Sequence, residues 1–433
     1  MKNIKKYFGA KKIVLIVLIS CSIAIMGYIY IQQNKNPSVQ KSEDIYITFL
    51  FEVYNKIQEN YWDKITDEQL RDLFEKGAEK ITNWPQILDS NDKNGLEKMF
   101  IKIMKDMNQA QKQEFSSQIA NIVLANLQPY GRSGLYTTQD EQILQNRVNN
   151  VNLETDLYNN LGLVKNASEK EIQQAYKDKK HELELDESPE TAQKLEKINY
   201  TFQVLSDPIK KQVYDESGIE PTILSKLLDS GIFYIKIKKI SPNSFEEFKR
   251  EVNNIDNIEA SDSLIIDLRG NVGGSLDILP YFLGPFIGPN QYAVELFQQG
   301  EYEPYKTVTG WLPGLVKYKK VVILIDSQTQ SSAEVMAAAF KKYNVGVIVG
   351  ATTKGWGTIE KVFELENQIS ANTKYSMFLV HHLTVGEDGQ PIEGRGVSPT
   401  ISIENPDWEK ELFAYFHYDK LVEAVKEIIK VSF

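Results

Sequence analysis

The stretch SLIIDLRGNVGGSLDILPYFLG, residues 263–284, indicates how this chain folds. It opens with an apolar run of strand length, continues through paired glycines, and ends in an apolar helical pattern. The stretch VVILIDSQTQSSAEVMAAAFKKY, residues 321–343, repeats this order of strand, turn and helix. Strands that alternate with helices predict an α/β core with crossover connections between its strands.

The same pattern continues on both sides of these two stretches. GIFYIKIKKI, residues 231–240, alternates like a strand, and SFEEFKREVNNI, residues 244–255, follows as a helix. GVIVGATTKGWGTIEKVFEL and KYSMFLVHHLTV, residues 346–365 and 374–385, are predicted to be further strands. They are expected to pair as a hairpin with its turn near Ser370. The predicted α/β core therefore covers residues 225–433.

The first half of the chain is helical in pattern. Residues 44–150 are predicted to form an N-terminal helical region, in which Phe49, Val53 and Ile57 recur at four-residue spacing. Residues 155–218 form a second, separate helical unit. The predicted fold is thus an α/β core with an N-terminal helical region and an inserted all-α unit.

The first 32 residues have the pattern of a membrane anchor. Residues 1–12 carry five lysines and no acid, and residues 13–31 carry no charge, which is long enough to span a bilayer. The lysines should stay in the cytoplasm, so a single transmembrane segment would place the rest of the chain outside it, after a linker at residues 33–43. LISC, which ends at Cys21, also permits a lipoprotein, and a cleaved signal peptide is the third alternative.

Composition excludes several classes of function. The net charge of −10 argues against nucleic acid as a partner. The chain has one cysteine and four histidines, in no spacing that suits a metal centre. No metal or other cofactor is expected.

Two loops contain candidate catalytic residues. Ser331 and Ser332 follow an apolar strand and begin an alanine-rich helix, where backbone N–H groups favour a developing anion. Asn271, Gly273 and Gly274 follow another strand at its carboxyl end, where ligands bind in open α/β sheets. Taken alone, the serines could simply cap the helix, and the glycines could simply form a tight turn.

Taken in order, LIIDLRGNVGG, SSAEVMAAAF, VIVGATTKGWGT and GQPIEGRGVSPTI resemble segments of the C-terminal processing peptidases, the tail-specific serine peptidases of the S41 type. The resemblance implies that Ser331 is the nucleophile and that a protein or peptide is cleaved through an acyl-enzyme. It also implies an oxyanion hole made by the amides of Ser332 and of the Gly273–Gly274 region, with Asn271 beside the substrate.

The family's general base is a lysine in a pattern like TFGKGT, but this chain has TKGWGT, with Trp356 at the lysine position. Three alternatives follow: Lys354 replaces the lysine, the protein is an inactive pseudopeptidase, or another base has taken over. In the predicted hairpin Glu360 falls opposite His381, so Glu360 could orient His381 as the base, with His382 as the alternate. Trp356 would then be an apolar wall or a substrate-binding surface.

The inserted unit resembles a J domain, the module that partners Hsp70. The resemblance includes LYNNLGL, KEIQQAYKDKKHELEL, INYTFQVLSD and KKQVYDESG. The His-Pro-Asp turn of that family is missing, because Glu182 and Leu183 follow His181. Hsp70 is therefore not an expected partner, and the unit is predicted to serve docking or spacing.

These observations predict a membrane-anchored, extracytoplasmic serine endopeptidase of C-terminal processing type, with a base other than lysine. The rival functions are a pseudopeptidase that binds peptides without cutting them and a J-domain cochaperone.

Overall fold

The protein was analysed as a computed structural model, which describes residues 44–151, 156–185, 191–228, 231–255, 262–386 and 388–430. The predicted anchor at residues 1–32, Cys21 within it, and the linker at 33–43 lie outside these residues and stay predictions. Within the part of the chain that is described, no helix is long and apolar enough to cross a membrane.

The helices are α1 (Ile45–Asn60), α2 (Asp67–Thr82), α3 (Lys93–Met104), α4 (Gln109–Ala125), α5 (Thr138–Val148), α6 (Leu157–Asn160), α7 (Glu169–Glu184), α8 (Thr191–Leu205), α9 (Pro208–Ser217), α10 (Ser244–Ile255), α11 (Leu279–Ile287), α12 (Pro313–Val316), α13 (Ser332–Lys342), α14 (Trp408–Phe416) and α15 (Asp419–Lys430). The strands are β1 (Gly134–Thr137), β2 (Ile223–Leu227), β3 (Phe233–Ile237), β4 (Ser263–Asp267), β5 (Tyr292–Gln298), β6 (Glu301–Lys306), β7 (Lys320–Ile325), β8 (Val347–Gly350), β9 (Thr358–Glu364), β10 (Tyr375–Val385) and β11 (Ile401–Ser402).

The predicted N-terminal helical region, residues 44–150, also contains strand β1 and helix α5, and its main body is formed by helices α1 to α4. Each begins at an Asp, Thr or Asn whose side chain accepts a hydrogen bond from a backbone N–H of the first turn. Phe49, Val53 and Ile57 are buried, as their spacing predicts. Their core is completed by Met377 and Leu379 of β10, so this region packs on a strand from the far end of the chain.

That strand belongs to an antiparallel sheet with the order β1-β10-β5-β6, in which β9 also pairs with β10. The second sheet has the order β11-β8-β7-β4-β3-β2 and is parallel except between β2 and β3. Helices α10, α11 and α13 cover one of its faces, and α14 and α15 cover the other. The predicted α/β core is therefore confirmed, and both sheets border the loops that carry the candidate site.

The inserted unit, α6 to α9, has its own small core around Tyr158 and Ile172. It docks on the α/β core through buried polar contacts, since Lys210 forms an ion pair of 2.9 Å with Glu251 of α10. His181 lies exposed in the last turn of α7.

One prediction about the strands is wrong. Residues 351–357 form no strand but an irregular loop between β8 and β9, so Trp356 does not share a strand face with Thr358 and Glu360. The loop is held by side chains from outside it, as described below.

Candidate active site

Ser331 stands at the N-terminal end of α13 with a φ of 58° and a ψ of −132°. Such a conformation is rare for a residue with a side chain and stores strain, which proteins retain mostly at functional sites. Two contacts fix it: the Gln330 N–H donates to the Asn271 carbonyl at 2.9 Å, and the Ser331 N–H donates to Glu334 Oε2 at 2.9 Å. The predicted nucleophile is thus presented on a rigid turn.

The glycine loop lies directly against this serine. Gly273 has a φ of 80°, and a Cβ added there would lie 2.7 Å from the Ser331 Cβ and 3.0 Å from the Ser332 amide nitrogen. Gly274 has a φ of 141°, and a Cβ there would lie 2.0 Å from the carbonyl oxygen of Ile240. The close approach of the two loops therefore requires both glycines.

The predicted role of Asn271 in substrate binding is wrong. Its side chain is fully buried, accepts from the Gly273 N–H at 2.8 Å and donates to the Ile237 carbonyl at 2.8 Å. Asn271 therefore shapes the glycine loop. It also occupies the Gly273 N–H, which leaves the amides of Ser332 and Gly274 as the predicted oxyanion donors.

Glu334 joins the nucleophile to the loop that contains Trp356. It is fully buried, and its carboxylate accepts four hydrogen bonds, from the Ser331 N–H, the Thr353 hydroxyl and the N–H groups of Gly355 and Trp356. A carboxylate engaged by four donors is not free to take a proton from Ser331. Glu334 is therefore a positioning residue.

Trp356 extends from this loop with 38% of its surface exposed. Its ring centroid lies 4.0 Å from the Arg132 guanidinium carbon and 3.8 Å from Lys354 Nζ, so two cations contact the indole. Arg132 also donates to the Thr358 hydroxyl and forms an ion pair of 3.2 Å with Glu393, which accepts from the Gly357 N–H. These contacts fix the position of Trp356, the residue at the family's lysine position.

The predicted pairing of Glu360 with His381 is wrong. Glu360 lies opposite Val380, and a β-bulge between Val380 and His382 shifts the register there. Glu360 instead accepts from the Thr358 hydroxyl at 2.6 Å, and burial raises the pKa of Glu360 above its ordinary value. Glu360 and Thr358 are two residues apart in β9 and share one face of the strand. The Glu360 side chain is therefore directed away from the histidines.

The histidines occupy the opposite face of the hairpin. His381 stacks on Phe363 with an interplanar angle of 11°, and its Nδ1 lies 2.7 Å from the Nδ1 of His382. Its other ring nitrogen lies 3.4 Å from Gln298 Nε2. Within the described residues, the structure records no hydrogen bond or ring contact between either histidine and Ser331, and the predicted Ser331–His381–Glu360 triad is not formed.

Burial is the main cause that lowers the pKa values of both histidines. The pKa of His381 falls to about 4, with further contributions from His382 and Lys361. The pKa of His382 is also lowered, by burial and then by Lys361. Both rings are therefore neutral near pH 7. The two histidines are packed within the pair of strands β9 and β10.

Lys354, the third candidate base, lies in the irregular loop between β8 and β9. Because it is not in a strand, the direction of its side chain does not require a β-bulge. Its backbone N–H donates to the Thr329 carbonyl at 2.9 Å, and its side chain returns over the indole of Trp356. The side chain of Lys354 thus contacts Trp356, the residue at the family's base position.

Sequence reasoning missed three residues of the site. Glu334 was recognisable from its place three residues after Ser331, where an acid can bind the amide that precedes a helix. Arg132 and Glu393 gave no local signal, because they come from segments far apart in sequence. Among the described residues, no group of three or more His, Cys, Asp or Glu side chains is arranged to hold a metal ion.

Comparison with known proteins finds two matching families. Residues 231–403 match the family model for Peptidase family S41, and residues 156–215 match the model for the DnaJ domain. The Carboxy-terminal processing protease CtpA of Bacillus subtilis is 28% identical over 209 residues, which cover 47% of this chain and 41% of that protein.

A probable CtpA-like serine protease of Staphylococcus epidermidis is 32% identical over 146 residues, which cover 34% of this chain and 28% of that protein. The chain thus spans less than half the length of these curated relatives. The solved structure of a photosystem II D1 C-terminal processing protease aligns with 83% of this chain and 93% of its own, at a TM-score of 0.49 and 12% identity.

Proposed function

Because residues 231–403 form a Peptidase family S41 domain, we propose that this protein is a peptide-binding relative of the C-terminal processing serine proteases that has lost rapid cleavage. The observation that carries this proposal is Trp356. It stands at the family's lysine position, while His381 and His382 contact Phe363, Gln298 and each other.

The chemical reason is the weakness of an unassisted serine. A hydroxyl becomes an effective nucleophile when a neighbouring base takes its proton, which typically contributes about 10²–10⁴-fold to the rate. Glu334 is saturated with donors, and Glu360 is bonded to Thr358. Among the described residues, no hydrogen bond joins Ser331 to a histidine or to Glu360, although the nucleophile turn and the glycine loop persist.

The same features suit binding of an extended chain. Trp356 offers a partly exposed indole, whereas the flanking Gly355 and Gly357 lie against the protein's own backbone at residues 392–396. We propose that the amides of Ser332 and Gly274 bind a carbonyl of the peptide. We include in the proposal the membrane anchor and the predicted placement of residues 44–433 outside the cytoplasm, where exported or membrane proteins would be bound.

A J-domain cochaperone is not part of the proposal, although residues 156–215 form a DnaJ domain. Glu182 and Leu183 stand where that family has proline and aspartate, and α9 is fixed to the α/β core by the Lys210–Glu251 pair. We propose that this unit spaces or docks the peptide-binding region.

The test uses the full-length protein in detergent micelles and a short fluorescent peptide that is extended in solution. We expect the parent and Ser331→Ala to bind the peptide equally and to leave it intact, and a fluorophosphonate probe to leave Ser331 unlabelled. Trp356→Ala should weaken binding, whereas Trp84→Ala, at an exposed tryptophan of the helical region, should not. Cleavage by the parent that Ser331→Ala abolishes, or failure of the parent to bind, would overturn the proposal.

One observation favours a second candidate, a peptidase with a displaced Ser–Lys dyad. Lys354 Nζ lies 3.8 Å from the ring centroid of Trp356, at the place of the family's base. This candidate requires that the parent cleave the peptide, that Lys354→Ala abolish cleavage, and that His381→Ala retain it. The same experiment therefore separates the two functions.

A further inference from the structure

The two faces of the sheet formed by β1, β10 and β9 are packed differently. One face carries Met377 and Leu379, which are buried in the core of the helical region. The other face carries Tyr136, Val362 and Phe378, which belong to none of the apolar cores that the described residues form. Val362 is 39% exposed, and the two aromatic side chains are partly exposed. This face therefore presents an apolar surface that the protein does not cover.

The three side chains lie next to one another across the three strands. Phe378 of β10 is paired with Val362 of β9, so their side chains are neighbours on one face. The ring of Tyr136, from β1, stacks on the ring of Phe378, with centroids 4.7 Å apart and an interplanar angle of 12°. Tyr136, Val362 and Phe378 are called the aromatic patch below. Two stacked rings beside an exposed valine suit contact with a further aromatic side chain.

The aromatic patch lies on the same sheet face as residues that surround Trp356. Thr358, Glu360 and Val362 are alternate residues of β9 and share this face. The Thr358 hydroxyl accepts from Arg132, whose guanidinium lies over the Trp356 indole. Val362 lies about 13 Å along the strand from Thr358, a distance that an extended peptide covers with about four residues. A peptide that contacts Trp356 and follows β9 therefore reaches the patch.

The aromatic patch also contains a hydrogen-bond donor. Burial, and then the carboxylates of Asp140 and Glu360, raise the pKa of Tyr136 above its ordinary value, while Arg147 acts in the opposite direction. The Tyr136 hydroxyl therefore keeps its proton at pH 7. Within the described part of the chain, this hydroxyl has no hydrogen-bond partner. It is available to a carbonyl of a bound peptide, and tyrosines that combine an apolar ring with a polar end are common in binding surfaces.

We propose that the aromatic patch binds an aromatic side chain of the peptide, an assignment that rests on the proposed function. The aromatic ring packs on Val362 and Phe378, and the Tyr136 hydroxyl donates to a carbonyl of the peptide backbone. The aromatic residue stands about four residues from the one at Trp356, since the peptide follows β9. The patch thus selects a side chain within the peptide and does not require a free peptide terminus.

The experiment measures binding of amidated fluorescent peptides to the full-length protein in detergent micelles. The reference peptide has a row of alanines between polar ends, and in each of the others one phenylalanine replaces one alanine. We expect phenylalanine at one position to increase affinity about tenfold over the reference peptide. Cyclohexylalanine at that position, which is apolar but not aromatic, should bind more weakly than phenylalanine. Equal affinity of these two peptides would overturn the aromatic assignment.

Variants connect this preference to the patch. Val362→Lys, at an exposed position, should remove the preference for phenylalanine, whereas Val308→Lys, at an exposed valine before α12, should behave as the parent. Tyr136→Phe should retain the preference but bind every peptide several-fold more weakly, because the hydroxyl is lost.

Three outcomes would overturn the proposal. Retention of the preference in Val362→Lys would exclude the patch, and unchanged affinity in Tyr136→Phe would exclude the hydroxyl as a donor. Equal affinity of the parent for all the peptides would refute the patch but leave the proposed function intact, whereas no binding of any peptide would refute both.

Discussion

The two sides of the candidate site differ in which parts of an acyl-transfer site are present: one side has the predicted nucleophile, and the other lacks the family's base. On the side of β4 and β7, Ser331 is held in a strained conformation against Gly273, with Glu334 bound to its amide. On the side of β9, Trp356 and Arg132 fill the place of the base. Because Glu334 binds main-chain N–H groups of the Trp356 loop, that loop keeps its path whatever side chain stands at position 356. A base can thus be exchanged without disturbing the nucleophile.

The largest expected effect comes from restoring the missing base. We expect Trp356→Lys to produce peptide cleavage on the order of 10²-fold above the parent, since the loop already has its anchoring hydrogen bonds. Cleavage is followed by mass spectrometry of the products.

The matched control is Trp356→Lys/Ser331→Ala, which should not cleave. If Trp356→Lys binds the peptide and stays inactive, the β4–β7 side is not catalytically competent, and the comparison between the two sides fails.

Removal of the carboxylate that joins the two sides should cost stability. Glu334→Ala leaves four donors unpaired, three of them backbone N–H groups, so we expect a loss of about 3–5 kcal/mol in the free energy of unfolding. Denaturant titration measures it. Glu364→Ala, at an exposed ion pair on β9, should change the free energy by less than about 0.5 kcal/mol. Equal losses in both variants would show that Glu334 does not couple the two sides.

The histidine pair should affect stability but not the site. The folded pKa of His381 is about 4, below its ordinary value of 6.5, so the unfolded state binds more protons between these pH values. The contribution of His381 to the free energy of unfolding is therefore fully present above pH 6.5 and is lost as the pH falls towards 4. After allowance for partial exposure, we expect His381→Asn to remove about 1–2 kcal/mol of this acid-induced loss.

Denaturant titrations at several pH values measure that change, and peptide binding at pH 7 should be the same in His381→Asn and the parent. Weaker binding, or a binding curve that titrates with the histidine, would bring His381 back into the site.

The smallest expected effect is at Arg132, which covers Trp356. Arg132→Gln loses the cation over the indole and the Glu393 ion pair, so we expect about 1 kcal/mol less stability and a few-fold change in peptide affinity. Arg395→Gln, which breaks an exposed pair with Asp388, is the control and should change neither quantity measurably. Identical behaviour of the two variants would mean that Arg132 does not shape the cleft.

Several features of this fold were predictable because they depend on local pattern. The apolar runs of β4 and β7, buried on both faces, have the continuous hydrophobic sequence of central parallel strands. The caps of α1 to α4 and the burial of Phe49, Val53 and Ile57 follow from residue type and helical spacing. The local pattern of a small polar residue between a strand and a helix predicted Ser331 or Ser332, and the resemblance to the S41 peptidases selected Ser331.

The failed predictions all depended on register or on distant segments. The hairpin register of Glu360 was wrong because the connection between β9 and β10 sets the pairs from Glu364–Ser376 to Glu360–Val380 one residue away from the predicted register, and the bulge lies beyond them. Strand alternation failed at Trp356 because Glu334, from another helix, holds residues 355 and 356 out of a strand. Arg132 was missed because the contact that brings it to Trp356 exists only in the folded protein.

The sequence by itself determined the α/β core, the two loops that carry Ser331 and Gly273, and the substitution of Trp356 for the family's lysine. These features depend on hydrophobic periodicity, on residue type and on order along the chain. Only the tertiary structure decided that Glu360 lies opposite Val380 instead of His381, that Asn271 is buried, and that Arg132 covers the indole. Those outcomes depend on strand register and on packing between segments far apart in sequence, which a local pattern does not encode.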